Sequence, residues 1–165
     1  MILCFSDKEP YLEKNSIFLA GPTKRDSSYA VSWRKEAVEI LEKLNFDGTV
    51  YIPEFTEGHP FDVNYVVEQT KWEWKCLDAA GVILFWVPRK ITNDKDTMPG
   101  YTTNVEFGIY TEKKPGQIVL GYPDDAEKMR YLELRYKEVT GKEHYKTLRN
   151  SIIQSVVLLN HILKK

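Results

Sequence analysis

The run Tyr101-Thr102-Thr103-Asn104-Val105-Glu106-Phe107-Gly108 sets one carboxylate behind two threonines and an asparagine. Two chemistries fit it. Thr102, Thr103 or Asn104 can cap the first turn of a helix, with the acid complementing the positive end of the helix dipole. Alternatively, Glu106 is a nucleophile and its polar neighbours orient the substrate's hydroxyl groups or the carboxylate itself. Tyr101 is then placed to stack or hydrogen-bond.

A second segment with chemical potential is Ala20-Gly21-Pro22-Thr23-Lys24-Arg25-Asp26. Gly21 permits close approach of the backbone to a ligand, and Pro22 stiffens that approach. Thr23 belongs to the same turn. Lys24 and Arg25 are either solvated loop charges or contacts for an anionic or hydroxyl-bearing substrate. The loop has neither a P-loop pattern nor a G-x-G-x-x-G fingerprint, which disfavours nucleoside triphosphates and dinucleotides. Of the four tryptophans, Trp33 and Trp74 sit at apolar helix positions and Trp86 in an apolar strand, so most belong to the core. Trp72 or Trp86 is the choice for a wall against a flat heterocycle. His59, His144 and His161 show no metal-ligand spacing, so no metal site is expected. Cys4 and Cys76 match no redox motif and suit a reducing cytoplasm. No G-x-S-x-G elbow is present.

These residues need a frame. The apolar runs at 16–20, 48–55, 82–88 and 117–121 read as strands, the third buried on both faces. Helical spacing follows from Ser32 to Phe46, where Ser32 is a credible cap, and from Val66 to Ala80, with Val67, Trp74 and Leu77 among the apolar positions. Further helices carry Glu106, extend from a Pro-Asp-Asp start to Gly141, and run from about 146 to 164. That last helix packs on the core or on a partner subunit. Alternating strands and helices predict one α/β domain over 1–165, with a mainly parallel sheet of four or five strands. Ligands in such sheets bind beyond the carboxyl ends of the strands. The loops after 20, 88 and 121 therefore converge on the site, and the long 89–101 loop is a candidate lid.

The chain carries 23 Lys plus Arg against 24 Asp plus Glu, with no long run of one sign, so a nucleic acid polymer is a poor partner. No stretch approaches the ~20 apolar residues that span a bilayer, and the first ten residues lack a leader's basic and apolar regions. A protein that is not exported is expected.

Taken together, "IFLAGPTKR", "SWRKEA", "WEWKCLDAAGVILFWVPR", "MPGYTTNVEFG" and "YLELRY" resemble the nucleoside 2-deoxyribosyltransferase-like family, from about Ile17 to Tyr136. The resemblance implies a flavodoxin-like doubly wound fold, assembly as homodimers or larger homo-oligomers, and cleavage or exchange of the N-glycosidic bond of deoxynucleosides or nucleotides. It places Glu106 on the family's catalytic glutamate, which bonds to the anomeric carbon with retained configuration, and it implies no cofactor. The partners are then a nucleoside or nucleotide and a free nucleobase. Family members commonly carry an aspartate directly before the third of these strands, where this chain has Gly81. Asp78, or Asp94 or Asp96 from the long loop, is the expected substitute for handling the base and its proton. Transfer to a second base, hydrolysis of a nucleoside or its 5′-monophosphate, and non-catalytic sensing all remain open on the sequence.

Overall fold

Five short, strongly apolar segments supply the sheet. In the computed structural model, which describes residues 1–23, 32–56, 65–91 and 97–165, they are β1 (Ile2–Phe5), β2 (Ser16–Ala20), β3 (Thr49–Ile52), β4 (Val82–Trp86) and β5 (Ile118–Gly121). All pair in parallel, in the order β1-β3-β2-β4-β5. The helices are α1 (Trp33–Lys43), α2 (Tyr65–Ala79), α3 (Tyr101–Lys113), α4 (Arg130–Thr140) and α5 (Leu148–Leu163). This is the expected α/β flavodoxin-like arrangement, with five strands. The chain steps outward from β2 to β3 and then returns to pair β4 on the other side of β2. That reversal opens a crevice between the carboxyl ends of β2 and β4.

Successive strand residues face opposite layers. Ile17, Leu19, Val50, Ile52, Val82, Leu84 and Val119 pack with α1 and α5. Phe18, Ala20, Tyr51, Ile83, Phe85 and Leu120 pack with α2, α3 and α4. The C-terminal helix lies on the sheet, with Leu148, Ile152 and Leu159 in the α1-side core. None of the described helices is long and apolar enough to cross a membrane.

Several local expectations are corrected. β1 joins the sheet as an outer strand, although residues 2–5 read as nothing more than a start. Trp74 is 59% exposed, whereas Trp72 is buried and donates its indole N–H to the Lys8 carbonyl at 2.9 Å. Val67 also faces outward. Residues 123–125 do not start α4, which begins at Arg130. Asp125 instead holds Lys90, by an ion pair of 2.6 Å. Lys90 and Met98 form an antiparallel bridge that closes the base of the long loop. Residues 92–96 of that loop, with Asp94 and Asp96, lie outside the described residues, as do Lys24, Arg25 and His59.

Candidate active site

The capping reading of the Glu106 segment does not survive the geometry. Gly100 is the N-cap of α3, with φ 64° and ψ 41°, and no side chain caps the helix. Such a left-handed backbone favours glycine. Glu106 is the sixth residue of the helix, beyond the first turn where an acid complements the dipole. Its neighbour Phe107 is buried edge-on against Phe85, with ring centroids 5.1 Å apart and planes at 81°. That anchor turns the face bearing Thr103 and Glu106 toward the carboxyl ends of the strands.

There the two residues meet a crevice of 380 Å³. Gly21, Pro22 and Thr23 line it from the end of β2, and Tyr101, Thr102, Thr103 and Glu106 from α3. The opposite wall is α2, which presents Val66, Gln69, Thr70 and Glu73. Among the described residues the site therefore holds two carboxylates, and the second was not legible as functional in the sequence. Gln69 donates to Glu73 Oε1 at 3.1 Å and to the Pro53 carbonyl at 3.2 Å, which fixes the Glu73 side chain. Among the described residues, none hydrogen-bonds the Glu106 carboxylate.

Burial is the largest influence on the electrostatics of the two acids. Burial pushes Glu106 from its ordinary 4.5 to about 8, the facing Glu73 pushes the same way, and Arg34 opposes both. Burial likewise pushes Glu73 up to about 7, against its bond from Gln69 and the charge of Arg34. Near neutral pH the pair shares protons, which is the condition for one carboxyl to act as acid while the other acts as base or nucleophile.

Arg34 builds the floor and is itself buried. Its Nε donates to the Leu19 carbonyl at 2.9 Å and Nη2 to the Gly21 carbonyl at 2.6 Å. Nη1 donates to Thr23 Oγ1 at 2.8 Å and to Glu54 Oε1 at 2.7 Å. Ser32 caps α1, accepting from Arg34 N–H at 3.2 Å, and donates to Glu54 Oε1 at 2.7 Å. One guanidinium thus ties the end of β2 to α1 and to the loop after β3. Its signal in the sequence was a charge at helical spacing with Ala37, Val38 and Leu41, all buried.

Other expected residues fall elsewhere. A Cβ on Gly21 would collide with the Trp86 carbonyl oxygen, so this glycine admits the backbone of β4 as much as any ligand. Trp86 is buried and does not line the crevice. Asn104 turns away to accept from Arg89 Nη2. Asp78 lies at the far end of α2, where it accepts from Tyr110 at 2.7 Å and Lys113 at 3.3 Å, and it does not reach the crevice. Gly81 precedes β4 at the amino end of the sheet. A Cβ there would strike the Lys14 carbonyl and sit 2.6 Å from Leu159 Cδ1. An aspartate at 81 would have no room and would face the wrong pole, so Gly81 leaves no gap in this site.

The arrangement suits attack on an electron-poor carbon by one carboxylate, with proton transfer by a second. Comparison with known proteins points the same way. No curated protein matches the chain, but the family model described as nucleoside 2-deoxyribosyltransferase like matches residues 14–125. That span holds β2 to β5, Arg34, Glu73 and Glu106, and the chain belongs to the nucleoside 2-deoxyribosyltransferase-like family.

Proposed function

We propose that the protein exchanges the nucleobase of 2-deoxynucleosides through a covalent sugar ester on Glu106. The observation that carries this reading is the pairing of Glu106 with Glu73 across one crevice, both with raised pKa values. As the bond from C1′ to the base nitrogen lengthens, positive charge grows on the sugar and favours the ionised form of Glu106. The remaining proton then resides on Glu73, which delivers it to the departing base as that base takes the bond's electron pair. Glu106 Oε bonds to C1′. A second base attacks C1′ from the vacated face, returns its proton to Glu73, and releases Glu106. Two inversions give net retention. Thr102 and Thr103 on the crevice wall are suited to bind sugar hydroxyls, and Tyr101 to cover a base.

The test is intact-protein mass spectrometry after mixing with deoxynucleosides, together with product analysis in the presence of a second base. A deoxyribosyl adduct absent in Glu106→Ala, and an exchanged nucleoside, are expected. Free sugar formed without an acceptor identifies hydrolysis instead, and binding without turnover identifies a sensor. An undiminished rate in Glu106→Ala excludes the mechanism.

A further inference from the structure

A cluster remote from the crevice joins one helix to the connection that follows it. Glu133 stands on α4, while Glu143 and His144 stand between α4 and α5. Their ligand-capable atoms, one from each residue, all lie within 4.8 Å of one another. Two features hold this geometry in place. The Tyr122 and Tyr145 N–H groups donate to the Tyr145 and Leu120 carbonyls, at 2.9 and 3.0 Å, which fastens the connection to the end of β5. The His144 imidazole stacks on Tyr122, with centroids 3.8 Å apart and planes at 11°.

Within this frame His144 Nδ1 is buried, and among the described residues it has no hydrogen-bond partner. It points toward Glu133 Oε1 at 3.5 Å, too far for a good hydrogen bond. That separation fits a shared ion better. A tetrahedral dication with bonds of about 2.0–2.1 Å sets its ligand atoms about 3.3 Å apart. Glu143 is exposed, its carboxylate already lies within 4.8 Å of the other two ligand atoms, and it pairs with the Lys137 ammonium. Two carboxylates at one spot call for a cation, and Lys137 supplies one from the rim. One imidazole and two carboxylates favour a zinc-class ion over calcium or magnesium, which prefer all-oxygen shells.

We propose that Glu133, Glu143 and His144 bind a zinc-class divalent cation that staples α4 to the α4–α5 connection beside β5. Histidine spacing alone does not reveal such a site, because Glu133 is brought in by the fold. Three protein ligands leave a fourth position for water, and the ion exchanges with solvent on the Glu143 side.

Chelator-stripped full-length protein titrated calorimetrically with zinc chloride tests this, with magnesium chloride as the control. One equivalent of zinc should bind and raise the melting temperature, and magnesium should not. Cobalt(II) in its place should give an intense visible band, the sign of a four-coordinate ion. His144→Ala should weaken zinc binding about 100-fold or more. Glu143→Gln, at an exposed position that leaves folding intact, should weaken it about tenfold, and Lys137→Met should tighten it. Absence of stoichiometric zinc binding, or equal binding by the wild type, His144→Ala and Glu143→Gln, overturns the assignment.

Discussion

Replacing Glu106 by glutamine should stabilise the protein while abolishing exchange, and the gain should grow with pH. A carboxyl whose pKa is raised on folding holds its proton more tightly in the folded state. Its contribution to stability is therefore full below the ordinary 4.5 and is lost as the pH climbs to about 8. At about 1.4 kcal/mol per pH unit, the interval between those values corresponds to a penalty of about 5 kcal/mol above pH 8 and about 3 kcal/mol at pH 7. Glutamine keeps the shape and carries no charge to desolvate, so it escapes the penalty. For a domain of this size about 3 kcal/mol raises the melting temperature by about 10 °C. Thermal unfolding of both proteins at pH 5, 7 and 9 reads this directly. The curves should nearly coincide at pH 5, where the difference is below about 1 kcal/mol, and should separate progressively toward pH 9. Parallel pH dependences, or a less stable Glu106→Gln variant, would show that the carboxylate is comfortably solvated and would remove the electrostatic basis for its reactivity.

Two further substitutions probe the same frame. Glu73→Gln removes the like charge facing Glu106, so the acidic limb of the exchange pH–rate profile should move to lower pH, while kcat falls about 10²–10⁴-fold for want of the proton donor; an unmoved limb counts against the coupling. Gly81→Asp, which puts the family's commoner residue before β4, should destabilise the fold by about 3 kcal/mol or more in thermal melts, through overpacking and an unpaired buried charge, and should leave exchange no faster.

The sheet was readable because a parallel core strand leaves a plain trace. SIFLA and VILFW are fully buried, and no competing pattern fits them. Ile2–Phe5 was not readable as a strand, since it is four residues at a sheet edge with Ile2 and Leu3 exposed, and local pattern carries little signal there. Trp74 is exposed where a core position was expected, and Trp72 is the core residue, for a related reason. α2 has weak amphipathic contrast, and its orientation is set by the contacts of Trp72, Cys76 and Leu77 with the sheet. Glu106 could be singled out because it falls within a recognisable local segment. Glu73 could not, since its importance comes from facing Glu106 across the crevice, a relation that 32 residues of intervening chain conceal. Asp78 looked suitable by nearness to Gly81, but α2 runs antiparallel to the strands, and five residues along it separate the crevice from the opposite pole.

The placement of Arg34 explains why these carboxylates stay strained. A guanidinium beside two acids would ordinarily neutralise them and make each a weak nucleophile. Here its donors already serve Glu54, Thr23 and the carbonyls of Leu19 and Gly21. Arg34 therefore lowers the pKa of Glu106 and Glu73 without cancelling the effect of burial. The cation fixes the crevice floor and, among the described residues, leaves the two acids short of positive charge. In the proposed reaction, a sugar that becomes cationic as its base departs would supply that charge at the one moment it is needed. Interaction energy withheld from the resting protein then appears in the transition state, the condition under which binding accelerates a reaction. The same logic predicts a cost in stability: a site that satisfied Glu106 in the free protein would melt higher and turn over more slowly.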